Sequence, residues 1–168
     1  MTCGQKPRIL FACLGNICRS PMAEAVFSHL AEKRGVLDKV VVDSAGVIDY
    51  HHGKPPFKKT LETLEKNGIS NYRHRARQAI IIMVTAGDFA NFDFILCFDE
   101  ENISDLSRAK PKSGAVAKVE LFGNYDPQKE LVIEDPYYAR DQEPAFNKVY
   151  EQCVRCSNGL LDYLFPPK

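Results

Sequence analysis

Apolar runs alternate with stretches of helical periodicity along the chain. The run "RILFACL" (8–14) is almost continuously apolar, as expected for a strand covered on both faces. In the segment that follows, "SPMAEAVFSHLAEKRG", apolar residues recur every four positions. Pro21 suits the first turn of a helix and Gly35 suits its C-terminal end. The pattern therefore predicts a strand that leads directly into a helix.

The same alternation continues downstream. A second helix is expected over "PFKKTLETLEKNG" (56–68), with Leu61 and Leu64 facing inward, and a long terminal helix over 145–165. Alternating strands and helices are typical of an α/β domain with a parallel sheet. The further strands are expected at "KVVVDSAG" (39–46), "FDFILCFD" (92–99) and "AKVELFG" (117–123).

The length and net charge of the chain favour a single globular domain. A chain of 168 residues fits one domain, residues 1–168, in which we expect 1–7 to be a loose N-terminus. Lys plus Arg and Asp plus Glu both number 22, so nothing in the net charge favours a nucleic-acid partner or a membrane surface. The longest wholly apolar run, Ala79 to Val84, is far shorter than a membrane span.

The N-terminus and the cysteines suggest a location. "MTCGQKPR" lacks the apolar core of a signal peptide. The six cysteines are scattered, which fits a reducing compartment better than a disulfide scaffold. We therefore expect a cytoplasmic protein.

The loop "CLGNICRS" (13–20) carries the first candidate chemistry. It lies between the first strand and the first helix, where α/β folds bind their ligands. Gly15 and Asn16 tolerate left-handed backbone, so the amides of this loop can turn inward around an anion at the positive end of the helix. Arg19 can hold two phosphate oxygens, and Cys13 in that field is expected to act as a thiolate nucleophile.

Three other interpretations of this loop stay open on its residues alone. Cys13 could be an inert cysteine at a strand end. Cys13 and Cys18 could form a redox pair, although their spacing is not the C-x-x-C of thioredoxin-like motifs. A metal site is less favoured, because the spacing is wrong for zinc and the adjacent His51 and His52 side chains diverge.

The segment "VIEDPYYARD" (132–141) offers a proton donor. Asp135 precedes Pro136, which favours an extended backbone in a loop, although Asp-Pro alone could be a simple turn. Tyr137 and Tyr138 are well placed to wall an aromatic substrate. A phosphate-binding module without catalysis would not need this acid, so Cys13, Arg19 and Asp135 together favour an enzyme.

The motifs together resemble those of the low-molecular-weight protein tyrosine phosphatases. The resemblance runs from about Arg8 to Leu161 and implies a four-stranded, mostly parallel sheet with helices on both faces in a three-layer, single-domain fold. It also implies two-step hydrolysis of phosphotyrosine in proteins and of aryl phosphates, without metal or cofactor. The motifs that carry it are "FACLGNICRSPMAEAVF", "DSAG", "FDFILCFDEEN", "YDPQKELVIEDPYY" and "VYEQCVRC".

The same resemblance implies roles for individual residues. Cys13 is then the nucleophile, Arg19 the phosphate clamp, and Asp135 the general acid and later the base. Cys18 is implied as a redox partner that protects Cys13 by a reversible disulfide. The implied phosphate-binding loop is Leu14, Gly15, Asn16, Ile17, Cys18 and Arg19, and the residues implied to support it are Asn16, Ser20, Ser44 and His74 of "HRARQ".

Ile17 bears on the choice of substrate. Protein-arginine phosphatases with a similar loop carry Thr at this position, whereas Ile17 offers an apolar wall. With Tyr50 on one rim and Tyr138 on the other, the pocket suits an aryl ring, so we expect phosphotyrosine rather than phosphoarginine. Arsenate reduction ranks low, since Cys97 is the only cysteine in the middle of the chain and fits a buried strand position.

Two features are not absorbed by this assignment. Ile80 to Val84 is an apolar insertion relative to the family, and it puts the support role of His74 in question. Cys153 and Cys156 have C-x-x-C spacing, but within a helical pattern where ordinary packing is expected.

The expected partners are phosphotyrosine proteins. The oligomeric state is open, with a monomer favoured and weak self-association as the alternative.

Overall fold

A computed structural model describes residues 5–47, 51, 53–70, 72 and 85–166. Four strands form one sheet in the order β2-β1-β3-β4, and each of the three neighbouring pairs is parallel. The predicted fold class is therefore confirmed. The predictions for Tyr50, His52, His74 and Ile80 to Val84 fall outside the described residues. The strands are β1 (Arg8–Cys13), β2 (Val41–Gly46), β3 (Phe94–Cys97) and β4 (Lys118–Leu121).

The three predicted helices are present. Pro21 lies in the first turn of the first helix, and Gly35, with φ +65°, follows its end as expected. Two further helices were not predicted. One has only six residues, and the other begins at the side-chain cap Asp99, where the predicted third strand ends. The helices are α1 (Arg19–Lys33), α2 (Lys58–Lys66), α3 (Ala86–Asn91), α4 (Glu100–Ala109) and α5 (Gln142–Leu164).

The central strand β1 separates two apolar layers. Ile9 and Phe11 face α1, α2 and α5, while Leu10 and Ala12 face α3 and α4. All four side chains are fully buried. Burial on both faces explains why the sequence of β1 shows no polar alternation. Leu64 is buried as predicted, whereas Leu61 is only partly buried.

The described part of the chain contains no helix with the length and apolarity needed to cross a membrane.

Three cysteines are fully buried in the core. Cys97 lies in β3, and Cys153 and Cys156 lie on the inner face of α5. The interpretation of these three cysteines as core residues is confirmed.

The parallel arrangement brings three chain segments to one edge of the sheet. β1 ends at Cys13, β2 ends at Gly46, and β3 leads through Phe98 to Asp99. The segment before Asp135 returns to the same edge, where the Ile133 N–H donates to the Phe98 carbonyl oxygen over 2.8 Å. The chain thus collects polar groups from distant positions at the carboxyl ends of its strands.

Candidate active site

The loop from Leu14 to Arg19 connects β1 to α1 without a side-chain cap on the helix. Asn16 has φ +55°, so it supplies the left-handed turn. Gly15 does not adopt positive φ, contrary to our expectation, and it is required for another reason. A Cβ at position 15 would lie 2.6 Å from Cδ2 of His51, so the glycine leaves room for that ring.

Cys13 lies at the base of a small pocket. Its side chain is 3% exposed, and its Sγ is 3.0 Å from Oγ of Ser20, the second residue of α1. Asp135, Tyr137 and Tyr138 lie on the walls of the same pocket, together with Ile17. The sulfur therefore faces a hydroxyl group and the amino end of a helix, which both stabilise negative charge.

Arg19 is 2% exposed, and its guanidinium joins the segment after β3 to the segment around Asp135. Its Nη2 donates to Oδ2 of Asp135 over 2.9 Å, while its Nη1 donates to the Ile133 carbonyl oxygen over 3.0 Å and to Asp99. Burial alone would lower the pKa of this guanidinium, but the negative charges of Cys13, Asp135 and Asp99 raise it above its ordinary value. Arg19 is therefore a permanent cation bonded to Asp135 at the pocket wall.

One donor of Arg19 has no protein partner. Its Nε is buried and makes no hydrogen bond within the described residues. Buried donors are normally satisfied by protein, water or a ligand. The guanidinium thus has its terminal nitrogens fixed by carboxylates and one donor available to an anion.

Asp99 is a site residue that the sequence interpretation missed. It follows β3, its Oδ1 accepts a hydrogen bond from the Asn102 N–H over 2.8 Å, and its Oδ2 binds Arg19. One carboxylate therefore caps α4 and holds the Arg19 guanidinium. The available signal was an acidic residue at the carboxyl end of a predicted parallel strand.

Asp135 is held at the pocket rim by its own loop. It precedes a short 3-10 turn, Pro136–Tyr138, and its Oδ1 accepts from the Tyr137 N–H over 3.1 Å. Upstream, Nε2 of Gln152 in α5 donates to the Val132 carbonyl oxygen over 3.0 Å. Since the Asp135 side chain is 22% exposed, it contacts both the pocket and solvent.

A buried hydrogen-bond network supports the loop. Nδ2 of Asn16 donates to Oγ of Ser20 over 2.9 Å and to Oγ of Ser44 over 3.0 Å. The Ser44 hydroxyl in turn donates to Glu24 over 2.6 Å, as does the hydroxyl of Tyr72 over 2.7 Å. The structure thus brings together the predicted Asn16, Ser20 and Ser44.

Glu24 and Tyr72 are additions to this predicted network. Burial, the negative charge of Glu24 and the hydrogen bond to it raise the pKa of Tyr72 far above its usual range. Tyr72 is therefore a neutral donor. Glu24 could have been noticed as an acidic residue among the apolar positions of α1.

The pocket walls are aromatic and apolar. Tyr137 and Tyr138 pack edge-to-face with ring centroids 5.2 Å apart, and Ile17 is 8% exposed. His51, which we considered only as a metal ligand, lies against the pocket with its ring 6.4 Å from that of Tyr137. Burial, followed by the nearby charge of Lys54, lowers the pKa of His51.

Cys18 is 5% exposed, and burial raises the pKa of its thiol, with further contributions from the charges of Cys13 and Asp135. Cys18 is therefore a neutral thiol.

Among residues 5–47, 51, 53–70, 72 and 85–166, no group of three potential metal ligands is found.

Comparison with known proteins places this chain in a family. The sequence model described as low molecular weight phosphotyrosine protein phosphatase matches residues 8–165. The pig protein of that name is 49% identical over 155 residues, covering 92% of this chain and 93% of the pig protein.

Two solved structures have the same fold. A protein tyrosine phosphatase from Entamoeba histolytica aligns with a TM-score of 0.83 at 29% identity, covering 95% of this chain and 97% of that one. The structure of a Drosophila arginine phosphatase aligns with a TM-score of 0.83 at 33% identity, covering 95% of this chain and 99% of that one. On the extent of the family match and the identity to the pig protein, this chain belongs to the low molecular weight phosphotyrosine protein phosphatase family.

Proposed function

We propose that this protein hydrolyses phosphotyrosine in proteins, and small aryl phosphates, with Cys13 as nucleophile, Arg19 as clamp and Asp135 as acid and base. The observation that carries the proposal is that two of these side chains line one pocket and the third is hydrogen-bonded to one of them. Cys13 and Asp135 line it, and Nη2 of Arg19 lies 2.9 Å from the Asp135 carboxylate. Membership in a family of phosphotyrosine phosphatases supports it.

In the first step, the phosphate group enters the loop of residues 14–19. The Cys13 thiolate attacks phosphorus, so a sulfur–phosphorus bond forms while the bond from phosphorus to the tyrosine oxygen breaks. Asp135 gives its proton to the departing phenolic oxygen. The Ser20 hydroxyl, 3.0 Å from Cys13 Sγ, stabilises the thiolate before attack.

In the second step, the Asp135 carboxylate takes a proton from water as the water oxygen attacks phosphorus. The sulfur–phosphorus bond breaks, inorganic phosphate leaves, and Cys13 returns to its thiolate form. Arg19 and the loop amides stabilise the charge on the equatorial oxygens in both steps. The unpartnered Nε of Arg19 supplies one donor for this purpose.

The aromatic pocket favours phosphotyrosine over phosphoarginine. The solved Drosophila arginine phosphatase shows that a close structural relative can carry the other activity. Here Ile17, Tyr137 and Tyr138 present apolar surface that suits an aryl ring better than a guanidinium. Faster dephosphorylation of phosphoarginine peptides than of phosphotyrosine peptides would contradict this preference.

The direct test is to trap the intermediate. Acid quenching during turnover of p-nitrophenyl phosphate, followed by mass spectrometry, should find the phosphoryl group on the peptide containing Cys13. Steady-state rates with phosphotyrosine, phosphoserine and phosphoarginine peptides would establish the substrate class. A phosphoryl group on another residue, or turnover without one, would refute the mechanism.

We also propose that Cys18 is a redox partner of Cys13 and that the protein acts as a cytoplasmic monomer. The mechanism needs Cys13 as a thiolate, and a reducing compartment keeps it in that state. Cell fractionation and analytical ultracentrifugation would test location and oligomeric state. The alternative oligomeric state is weak self-association.

A further inference from the structure

A second and larger groove opens beside the catalytic pocket, next to α2. It has a volume of about 480 Å³, and Ile17, His51 and Tyr137 line both the groove and the pocket. Its remaining apolar lining comes from Phe57, Leu61 and two prolines. A substrate polypeptide bound by its phosphotyrosine can leave the pocket across this shared rim.

The groove is fixed in position relative to the phosphate-binding loop. The Ile17 carbonyl oxygen accepts hydrogen bonds from the Phe57 N–H over 2.7 Å and from Oγ1 of Thr60 over 3.2 Å. The Phe57 ring packs edge-to-face on Tyr137 at 5.3 Å between centroids and lies 5.8 Å from Phe146 of the core. The groove is thus a preformed surface.

The rim of the groove is positively charged. Lys58 and Lys54 both line it, but Nζ of Lys58 pairs with Glu62 at 3.2 Å. Lys54 has no ion-pair partner among the residues that the structure describes. An unneutralised cation beside an apolar floor complements an acidic residue next to an apolar one.

We propose that this groove binds the substrate segment adjacent to phosphotyrosine, accepting one apolar side chain on Leu61 and Phe57 and one acidic side chain at Lys54. The inference rests on the proposed function and narrows its substrates to phosphotyrosine sites flanked by apolar and acidic residues. The volume of the groove is in the range of specific ligand sites, so it accommodates a large aliphatic side chain with its backbone.

Phosphotyrosine peptides provide the test. In each peptide, the two residues next to the phosphotyrosine are Leu-Asp, Leu-Lys or Ser-Asp. Each pair is placed once before and once after the phosphotyrosine, because the groove does not show in which direction the substrate chain runs. On one of the two sides, we expect kcat/KM for Leu-Asp to exceed that for Leu-Lys by about fivefold. It should also exceed that for Ser-Asp by about threefold.

Variants assign these preferences to the groove. Lys54→Glu should reverse the order of Leu-Asp and Leu-Lys, and Leu61→Ser should remove the advantage of Leu-Asp over Ser-Asp. Lys39→Glu is the matched control, because Lys39 is exposed just before β2, at the opposite edge of the sheet, and makes the same charge change. It should keep both wild-type ratios.

Hydrolysis of p-nitrophenyl phosphate, which has no flanking residues, separates the two proposals. If wild-type protein does not hydrolyse it, the proposed function fails. If it does, but the peptide ratios are near one or unchanged in Lys54→Glu, the groove proposal alone is overturned. A change in sedimentation coefficient in Lys54→Glu with unchanged ratios would mean that the groove binds a second copy of the chain, which also overturns it.

Discussion

Nη2 of Arg19 and Oδ2 of Asp135 lie 2.9 Å apart, although 116 residues separate them in the sequence. The two groups have different proposed tasks, since one binds the phosphate and the other transfers the proton. Their contact fixes the Asp135 carboxylate beside the Arg19 guanidinium. It also means that the charge of Asp135 influences the clamp, so variants of one residue have to be interpreted with the other in mind.

Replacing Asp135 by Asn should remove acid catalysis while keeping the size of the side chain. We expect turnover to fall about 10²–10⁴-fold with phosphotyrosine, whose leaving oxygen needs a proton, and less with p-nitrophenyl phosphate, whose leaving group is weakly basic. Steady-state kinetics with both substrates measures this difference. Glu134→Gln, at the exposed neighbouring residue, is the matched control and should show no such dependence.

Cys13→Ser should leave no measurable phosphatase activity, because a serine hydroxyl in this pocket is a far weaker nucleophile than a thiolate. The assay is hydrolysis of p-nitrophenyl phosphate, with circular dichroism to verify folding. Turnover at the wild-type rate in this variant would mean that the nucleophile lies elsewhere.

Asp99→Asn tests the orientation of Arg19. Asn is as good a helix cap as Asp, so α4 should remain capped through Asn102, while the charge that fixes the guanidinium is lost. We expect kcat/KM to fall about tenfold, mainly through a higher KM, with little change in melting temperature. Asp105→Asn removes a surface partner of Arg108 on the same helix and should leave the kinetics unaltered. A KM equal to that of wild type in Asp99→Asn would exclude the orienting role.

Cys18→Ala should make inactivation by peroxide harder to reverse. Peroxide oxidises Cys13 to a sulfenic acid with release of water, and the Cys18 thiol then displaces a second water to form the disulfide, which dithiothreitol reduces. Because burial raises the pKa of Cys18, disulfide formation should speed up as pH rises. The measurement is activity recovered with dithiothreitol, relative to the untreated form of the same variant. Equal recovery in Cys18→Ala and in the Cys97→Ala control would argue against the protective disulfide.

The ion pair between Asp126 and Arg155 should make stability depend on pH. Asp126 is 1% exposed, and although burial would raise the pKa of its carboxyl, two hydrogen bonds from Nε and one from Nη2 of Arg155 lower it overall. Its folded-state pKa is therefore below the unfolded value of about 3.9. The stabilisation is complete above that value and is lost as pH falls through the folded pKa.

Arg155→Met tests this pair by leaving a buried carboxylate without its partner. The free energy of unfolding at pH 7 should fall by about 3 kcal/mol. Urea titrations at pH 7 and pH 3 should show the difference from wild type shrinking at the lower pH. A difference that is the same at both values would assign the effect to lost packing of the arginine side chain.

The strand, loop and helix around Cys13 could be predicted from sequence because their signals are local. A two-sided apolar run, Pro21 in the first turn and Gly35 after the last one each act within a few residues. Asp135 was found for the same reason, since the following proline shapes its own backbone.

Asp99, Glu24, Tyr72 and His51 were not predicted as site residues because their roles arise only from tertiary contacts. Asp99 reaches Arg19 across 80 residues, and Tyr72 reaches Glu24 across 48. Asp99 and Glu24 carry only weak sequence signals, an acidic residue at a strand end and one among apolar helix positions, and neither signal names the partner. The helix α3 was missed because its six residues give too short a pattern for periodicity to be seen. The helix α4 has ten residues, one more than the predicted α2, so its length does not explain why it was missed.

Gly15 and His51 are coupled through space rather than through chemistry. The missing Cβ at position 15 leaves the room that the His51 ring occupies, 2.6 Å from where that carbon would be. In evolutionary terms this makes the two positions epistatic: a larger residue at 15 is tolerated only after the ring at 51 has been replaced or moved. The His51 ring therefore limits which side chains can be selected at position 15, and a larger residue in this loop has to follow a change at position 51.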